Sequence, residues 1–127
     1  MSEPASVMVV EDEKELASLF KAFLERMGYE PITFTDPIMA LEFFKQGTKE
    51  FSLILTDLRM LEMSGLDLAA EIRKINEKIK IILITAFMVE DLMISETYKI
   101  AKIDDIVQKP VKISALKEII ENVLQRD

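Results

Sequence analysis

Residues 53–60 read LILTDLRM, a short apolar run that stops abruptly at Asp57. A run this brief, bounded by polar residues, reads as a strand buried on both faces. The same signature recurs along the chain. ASVMVV (5–10), PITF (31–34), FSLILT (51–56) and IKIILIT (79–85) are predicted strands. IKIILIT is the most continuous run and the best candidate for a central strand. The half-polar KIDDIVQ (102–108) suits a strand nearer a sheet edge.

Between these runs the period changes to that of a helix. Residues 13–27 space Leu16, Leu19, Phe20, Phe23, Leu24 and Met27 along one face, and Gly28 follows as a stop. Asp36-Pro37 supplies an N-cap and a proline for the first helical position, and Gly47 closes that helix after about Gln46. Ser64 and Asp67 form a loose capping box before a helix with Leu66, Ala69, Ile72 and Ile75 on its buried face. Residues 89–99 are expected to be helical despite a poor apolar stripe. The last helix, Ile113 to Gln125, repeats a clean pattern at Leu116, Ile119, Ile120, Val123 and Leu124. Five β–α units with short connections predict a doubly wound α/β fold, its parallel sheet covered on both faces. No linker, repeat or low-complexity tract divides the chain, so residues 1–127 are expected to form one domain.

Composition narrows the chemistry. The chain has no cysteine and no histidine, which excludes thiolate nucleophiles, zinc–thiolate sites and any catalytic triad or phosphocarrier built on its own histidine. A net charge of −7 argues against direct contact with nucleic acid. The N-terminus lacks a basic region, and no apolar run approaches the roughly 20 residues that cross a bilayer. A cytoplasmic protein without a membrane contact is expected. None of the three glycines lies in a GxGxxG or P-loop pattern.

In a doubly wound sheet, ligands bind outside the carboxyl ends of the strands. Here the first strand ends on Glu11-Asp12, the third on Asp57, the fourth on Thr85 and the fifth on Lys109-Pro110. Taken singly, these are ordinary: acids that charge a helix start, a turn aspartate, a strand-end hydroxyl, a solvated lysine. Together they would place three carboxylates, a hydroxyl and an ammonium on one rim. Hard oxygen ligands in that number suit Mg²⁺, and a hydroxyl with a lysine opposite suits a phosphoryl group. One carboxylate could then act as a nucleophile and carry the phosphoryl group as an acyl phosphate.

On VVEDE (9–13), LILTDLRM with SGLDL (64–68), ILITA (82–86) and DDIVQKP (104–110), the chain resembles the receiver domain of two-component response regulators over its full length. The likeness is to stand-alone, chemotaxis-regulator-like receivers, with no output domain. It implies a flavodoxin-like three-layer sandwich of five parallel strands in the order 2-1-3-4-5 and five helices. Asp57 would be the phospho-acceptor, charged by a phosphohistidine of a sensor histidine kinase or phosphotransfer protein. Glu11, Asp12, Asp57 and the backbone carbonyl of Arg59 would hold Mg²⁺. Thr85, Ala86 and Lys109 would contact the phosphoryl group, and the Lys109-Pro110 peptide would be cis. Such a domain is not an enzyme beyond catalysing its own phosphorylation and dephosphorylation. Its switching would alter binding to an unknown downstream protein.

Four departures from the family's habit stand out. Ile106 stands where an aromatic switch residue is usual, and Leu61 where a proline is usual. Lys102-Ile103 replaces Gly-Ala, which reads as tolerated surface variation. Phe87 stands where many relatives are polar; with Arg59 it is expected to shield the site and slow the loss of phosphate. Met88, Val89, Leu92, Met93, Ile94, Tyr98 and Ile100 exceed one buried stripe. With Ile106 they either leave an apolar patch on the helix 4–strand 5–helix 5 face, a homodimer or partner surface in the family, or pack into an irregular helix. The switch and partner residues are thus Ile106, Phe87, Met93 and Tyr98. Two rivals remain: a receiver-fold interaction adaptor without switching, and a small Mg²⁺-dependent phosphatase, which Arg59 disfavours.

Overall fold

The computed structural model describes residues 3–86 and 93–126. Five strands run through it: β1 (Ser6–Val10), β2 (Glu30–Phe34), β3 (Leu53–Asp57), β4 (Lys80–Thr85) and β5 (Asp105–Gln108). Five helices are described: α1 (Lys14–Arg26), α2 (Pro37–Gln46), α3 (Gly65–Ile75), α4 (Glu96–Ala101) and α5 (Ile113–Gln125). All the strand pairings are parallel, in the order β2-β1-β3-β4-β5. The expected doubly wound sandwich is therefore the observed one. β4 is an interior strand, but the middle of the sheet is β3, the strand that ends on Asp57.

The strands fill both layers because successive side chains point to opposite faces. Met8, Val10, Ile54, Ile81 and Leu83 pack with α2, α3 and α4. Their neighbours Val7, Val9, Leu53, Leu55, Ile82 and Ile84 pack with α1 and α5 around Phe20, Leu24, Leu116 and Ile120. Asp36 caps α2 by accepting from the Ile38 N–H at 2.8 Å, and Ser64 caps α3 by accepting from Asp67 N–H at 3.1 Å. Gly47 ends α2 at φ +67°, a left-handed turn that favours glycine.

Two residues expected on buried faces are not there. Leu19 is 51% exposed and Ile75 is 52% exposed. Ala17, Phe20 and Leu24 already fill the stripe of α1, leaving Leu19 on its flank. On α3 the buried stripe continues instead through Ala70 and Arg73. The helix expected over 89–99 is described from Glu96 to Ala101, where the Ser95 side chain accepts from Tyr98 N–H at 3.0 Å. Residues 89–92 of that prediction lie outside the described residues, and residues 94 and 95 are a turn and a bend rather than helix.

Candidate functional site

Strand register builds the site. Val10 of β1 pairs with Thr56 of β3, Asp57 pairs with Ile84 of β4, and Thr85 pairs with Gln108 of β5. Neighbouring strands thus leave the sheet within about one residue of each other, and the next residues arrive together at one edge. That edge includes the junction of β1 with β3, where the strand order reverses and a crevice opens. Asp12, Glu13, Asp57, Arg59, Thr85, Ala86 and Lys109 line a cleft there of about 230 Å³. Glu11 lies behind it, only 1% exposed. A larger groove of about 640 Å³ runs between α1 and α5 and shares no residue with this cleft.

The Asp57 carboxylate is held at both oxygens. Oδ1 accepts from the Leu58 N–H at 3.0 Å, and Oδ2 accepts from the Lys109 ammonium at 3.2 Å. Lys109 Nζ also lies 3.8 Å from Glu11 Oε1. The Lys109 N–H donates to the Thr85 carbonyl at 2.8 Å, and the Lys109-Pro110 peptide is cis, as expected. Thr85 itself is buried.

One ammonium faces more than one acid, and the protonation equilibria follow. Burial pushes the Glu11 carboxyl up to about 7; the Glu13 N–H opposes this, as does Lys109, while Asp57 adds to it. Burial also raises Asp57, despite the pull of Lys109. For Lys109, burial acts downward, but Asp57 and Glu11 outweigh it and raise its ammonium above the usual lysine range.

The donor set fits a small divalent cation. Glu11, Asp12 and Asp57 each present an oxygen within 4.8 Å of the others. Glu11 Oε1 is buried and accepts no hydrogen bond among the described residues, so a coordination site there would satisfy it. All three donors are hard oxygens, which suit Mg²⁺.

The loop that follows Asp57 is tightly built. The Leu58 carbonyl accepts from Gly65 N–H, and the Leu61 carbonyl accepts from Met63 N–H, both at 2.8 Å. Glu62 between the latter pair has φ +71°, and Leu61 is 82% exposed. On the far side of the sheet edge, Ile106 and Tyr98 are half-buried against the α2–α3 layer. Met93 and Ile94, just before α4, and Ile100 within it are 51%, 81% and 53% exposed. Phe87, with Met88, Val89 and Leu92, lies outside the described residues.

Two residues escaped the sequence reading. Gly65 abuts the Asp57 backbone, and nothing in SGLDL announces that contact. Arg73 is buried, and its signal was visible: it continues the stripe Leu66, Ala69, Ala70 on α3.

Comparison with known proteins agrees with this geometry. The family model described as Response regulator receiver domain matches residues 7–121. The transcriptional regulatory protein RprY of Bacteroides fragilis is 31% identical over 99% of this chain and 52% of its own length. The transcriptional regulatory protein ZraR of Klebsiella oxytoca is 30% identical over 96% of this chain and 27% of its own length. The chain thus spans about a quarter to a half of these curated relatives. A crystal structure of a response regulator receiver domain protein from Clostridium thermocellum superposes with a TM-score of 0.84 at 25% identity, covering 96% of this chain and 95% of that one. Among the described residues no helix is long and apolar enough to cross a membrane. With the strand order, the acidic cleft and the family match in agreement, the chain belongs to the response regulator receiver domain family, whose members are signalling domains of two-component systems rather than classical enzymes.

Proposed function

We propose that this chain is a phospho-accepting switch that takes a phosphoryl group onto Asp57 from a phosphohistidine of a sensor kinase or phosphotransfer protein. The observation that carries this reading is the Asp57 carboxylate itself, 5% exposed at the end of the central strand, with Leu58 N–H on one oxygen and Lys109 on the other. An oxygen of Asp57 forms the new O–P bond while the donor's N–P bond breaks, and the electron pair returns to the imidazole nitrogen. Lys109 transfers its ammonium from Asp57 to a phosphoryl oxygen, and the Thr85 hydroxyl and Ala86 contact the others. Glu11, Asp12, Asp57 and the Arg59 carbonyl would hold Mg²⁺. When bound, that ion supplies positive charge against the phosphoryl oxygens.

Residues 1–127 act as one receiver unit in the cytoplasm. Engagement of Thr85 is relayed to the face formed by α4, β5 and α5, where Ile106, Tyr98 and Met93 meet a downstream protein or a second copy. Incubation with a small-molecule phosphodonor and Mg²⁺ is expected to add one phosphoryl group to the intact mass, and Asp57→Asn to abolish it. A wild-type chain that gains no adduct would be an interaction adaptor; turnover of the donor without an adduct would make it a phosphatase.

A further inference from the structure

We propose that Gly65 is a positioning residue for the Asp57 carboxylate, acting through the Asp57–Leu58 peptide unit. A Cβ placed on Gly65 would stand 2.0 Å from the Asp57 carbonyl oxygen and 2.9 Å from its carbon. Both are backbone atoms, so no rotamer change relieves the contact. The third neighbour, Leu83 Cδ1 at 3.1 Å, is a side-chain tip that can move. The carbonyl oxygen also accepts from the Thr56 hydroxyl at 3.0 Å, so it is held between that hydroxyl and the bare Cα of Gly65.

The peptide unit makes this contact matter. The C=O of Asp57 and the N–H of Leu58 are two ends of one planar plate. That N–H donates to Asp57 Oδ1 at 3.0 Å and to the Ile84 carbonyl at 2.8 Å. Pushing the oxygen rotates the plate, and the N–H turns off the carboxylate it orients. Gly65 N–H meanwhile holds the Leu58 carbonyl at 2.8 Å, fixing the next plate along. The start of α3 thereby sets the angle at which Asp57 meets Lys109 and the cleft. A group misplaced by about 1 Å loses reaction rate on the order of tenfold to a hundredfold.

The rate arm of the test rests on Asp57 being the phospho-acceptor; the spectroscopic arm does not. In NMR spectra of Gly65→Ala, the Leu58 amide, Asp57 carboxyl carbon and Lys109 Nζ resonances are expected to move. Its phosphorylation by a small-molecule donor is expected to slow by at least about tenfold. Val123→Ala, a destabilised core control in the α5 layer, is expected to keep the wild-type rate and the wild-type Asp57 resonance. Adding Leu83→Val to Gly65→Ala is expected to restore neither. Unmoved resonances in Gly65→Ala, equal slowing in Val123→Ala, or rescue by Leu83→Val would each overturn the assignment. If wild type takes up no phosphoryl group, the functional reading fails and the resonances alone decide the positioning role. Should Gly65→Ala not fold, Thr56→Val releases the same oxygen without a clash. It is then expected to move the Leu58 and Asp57 resonances, and their constancy would overturn the proposal.

Discussion

Glu11 couples the site most directly to pH. Its carboxyl is shifted from 4.5 to about 7 in the folded chain, burial being the main cause. Between those two values the folded chain holds a proton that the unfolded chain has already lost, so stability falls as pH rises through that window. Asp57, also raised by burial, acts with the same sign. Lys109 acts on another limb: its raised ammonium stabilises the fold through the neutral range, and that contribution is lost only as pH rises past the ordinary lysine value of 10.5. Urea unfolding is expected to show a loss on the order of 2 to 3 kcal/mol across the Glu11 window. Glu11→Gln should flatten most of this slope. A Glu11→Gln curve parallel to wild type would remove Glu11 as its cause. At this scale the sequence was informative wherever chemistry ends an apolar run, as at Asp57, Thr85 and Lys109. It was silent where the decisive feature is a missing atom, as at Gly65, because a glycine in a loop signals conformational freedom as readily as close approach.

Among elements, the joint between α3, α4 and β5 depends on Arg73. All five guanidinium N–H donors find acceptors. Nε donates to the Ala101 carbonyl at 2.8 Å; Nη1 donates to the Glu77 carbonyl at 3.1 Å and to the Ile79 carbonyl. Nη2 donates to the Lys102 carbonyl at 2.8 Å and to Asp104 Oδ2 at 3.1 Å. Asp104 Oδ2 in turn accepts from the Ile81 N–H at 2.7 Å, which fixes β4 beside β5. Lys102 was expected to be plain surface variation. Its side chain is exposed, but its backbone is the left-handed C-cap of α4 at φ +49°, and its carbonyl is one of the acceptors. Arg73→Met, which strands several carbonyls and the Asp104 carboxylate, is expected to cost about 3 kcal/mol in urea unfolding. A loss below about 1 kcal/mol would mean water satisfies those carbonyls. Element boundaries were legible because each carries a local signal: the Asp36-Pro37 start, the Ser64 cap, the Gly47 stop. The width of a buried face was not, since Leu19 and Ile75 obey the helical period but lie on the flank of a stripe already filled.

For the whole molecule, charge and topology act together. The chain has 23 acidic against 16 basic residues, and the sheet gathers Glu11, Asp12, Glu13 and Asp57 at one edge with Lys109 and Arg59. Hydrophobic layers on both faces hold these like charges close, at a cost that unfolding relieves. The parallel order is what converges them, because Glu11 and Asp57 are far apart in sequence and adjacent only through the pairing of β1 with β3. An ion that binds the three clustered oxygens therefore has a site in the folded chain and none in the unfolded one. Such binding adds RT ln(1 + [L]/Kd) to stability, about 1.4 kcal/mol at ten times Kd. Simple screening of the excess negative charge would also stabilise the chain, but NaCl at equal ionic strength would do so equally. Denaturant unfolding in MgCl₂ is accordingly expected to give a higher midpoint than in matched NaCl, rising with the logarithm of concentration. Asp12→Asn and Asp57→Asn should each lower that excess while leaving the NaCl response intact. If the two salts stabilise wild type alike, the carboxylates hold no ion and the gain is screening alone.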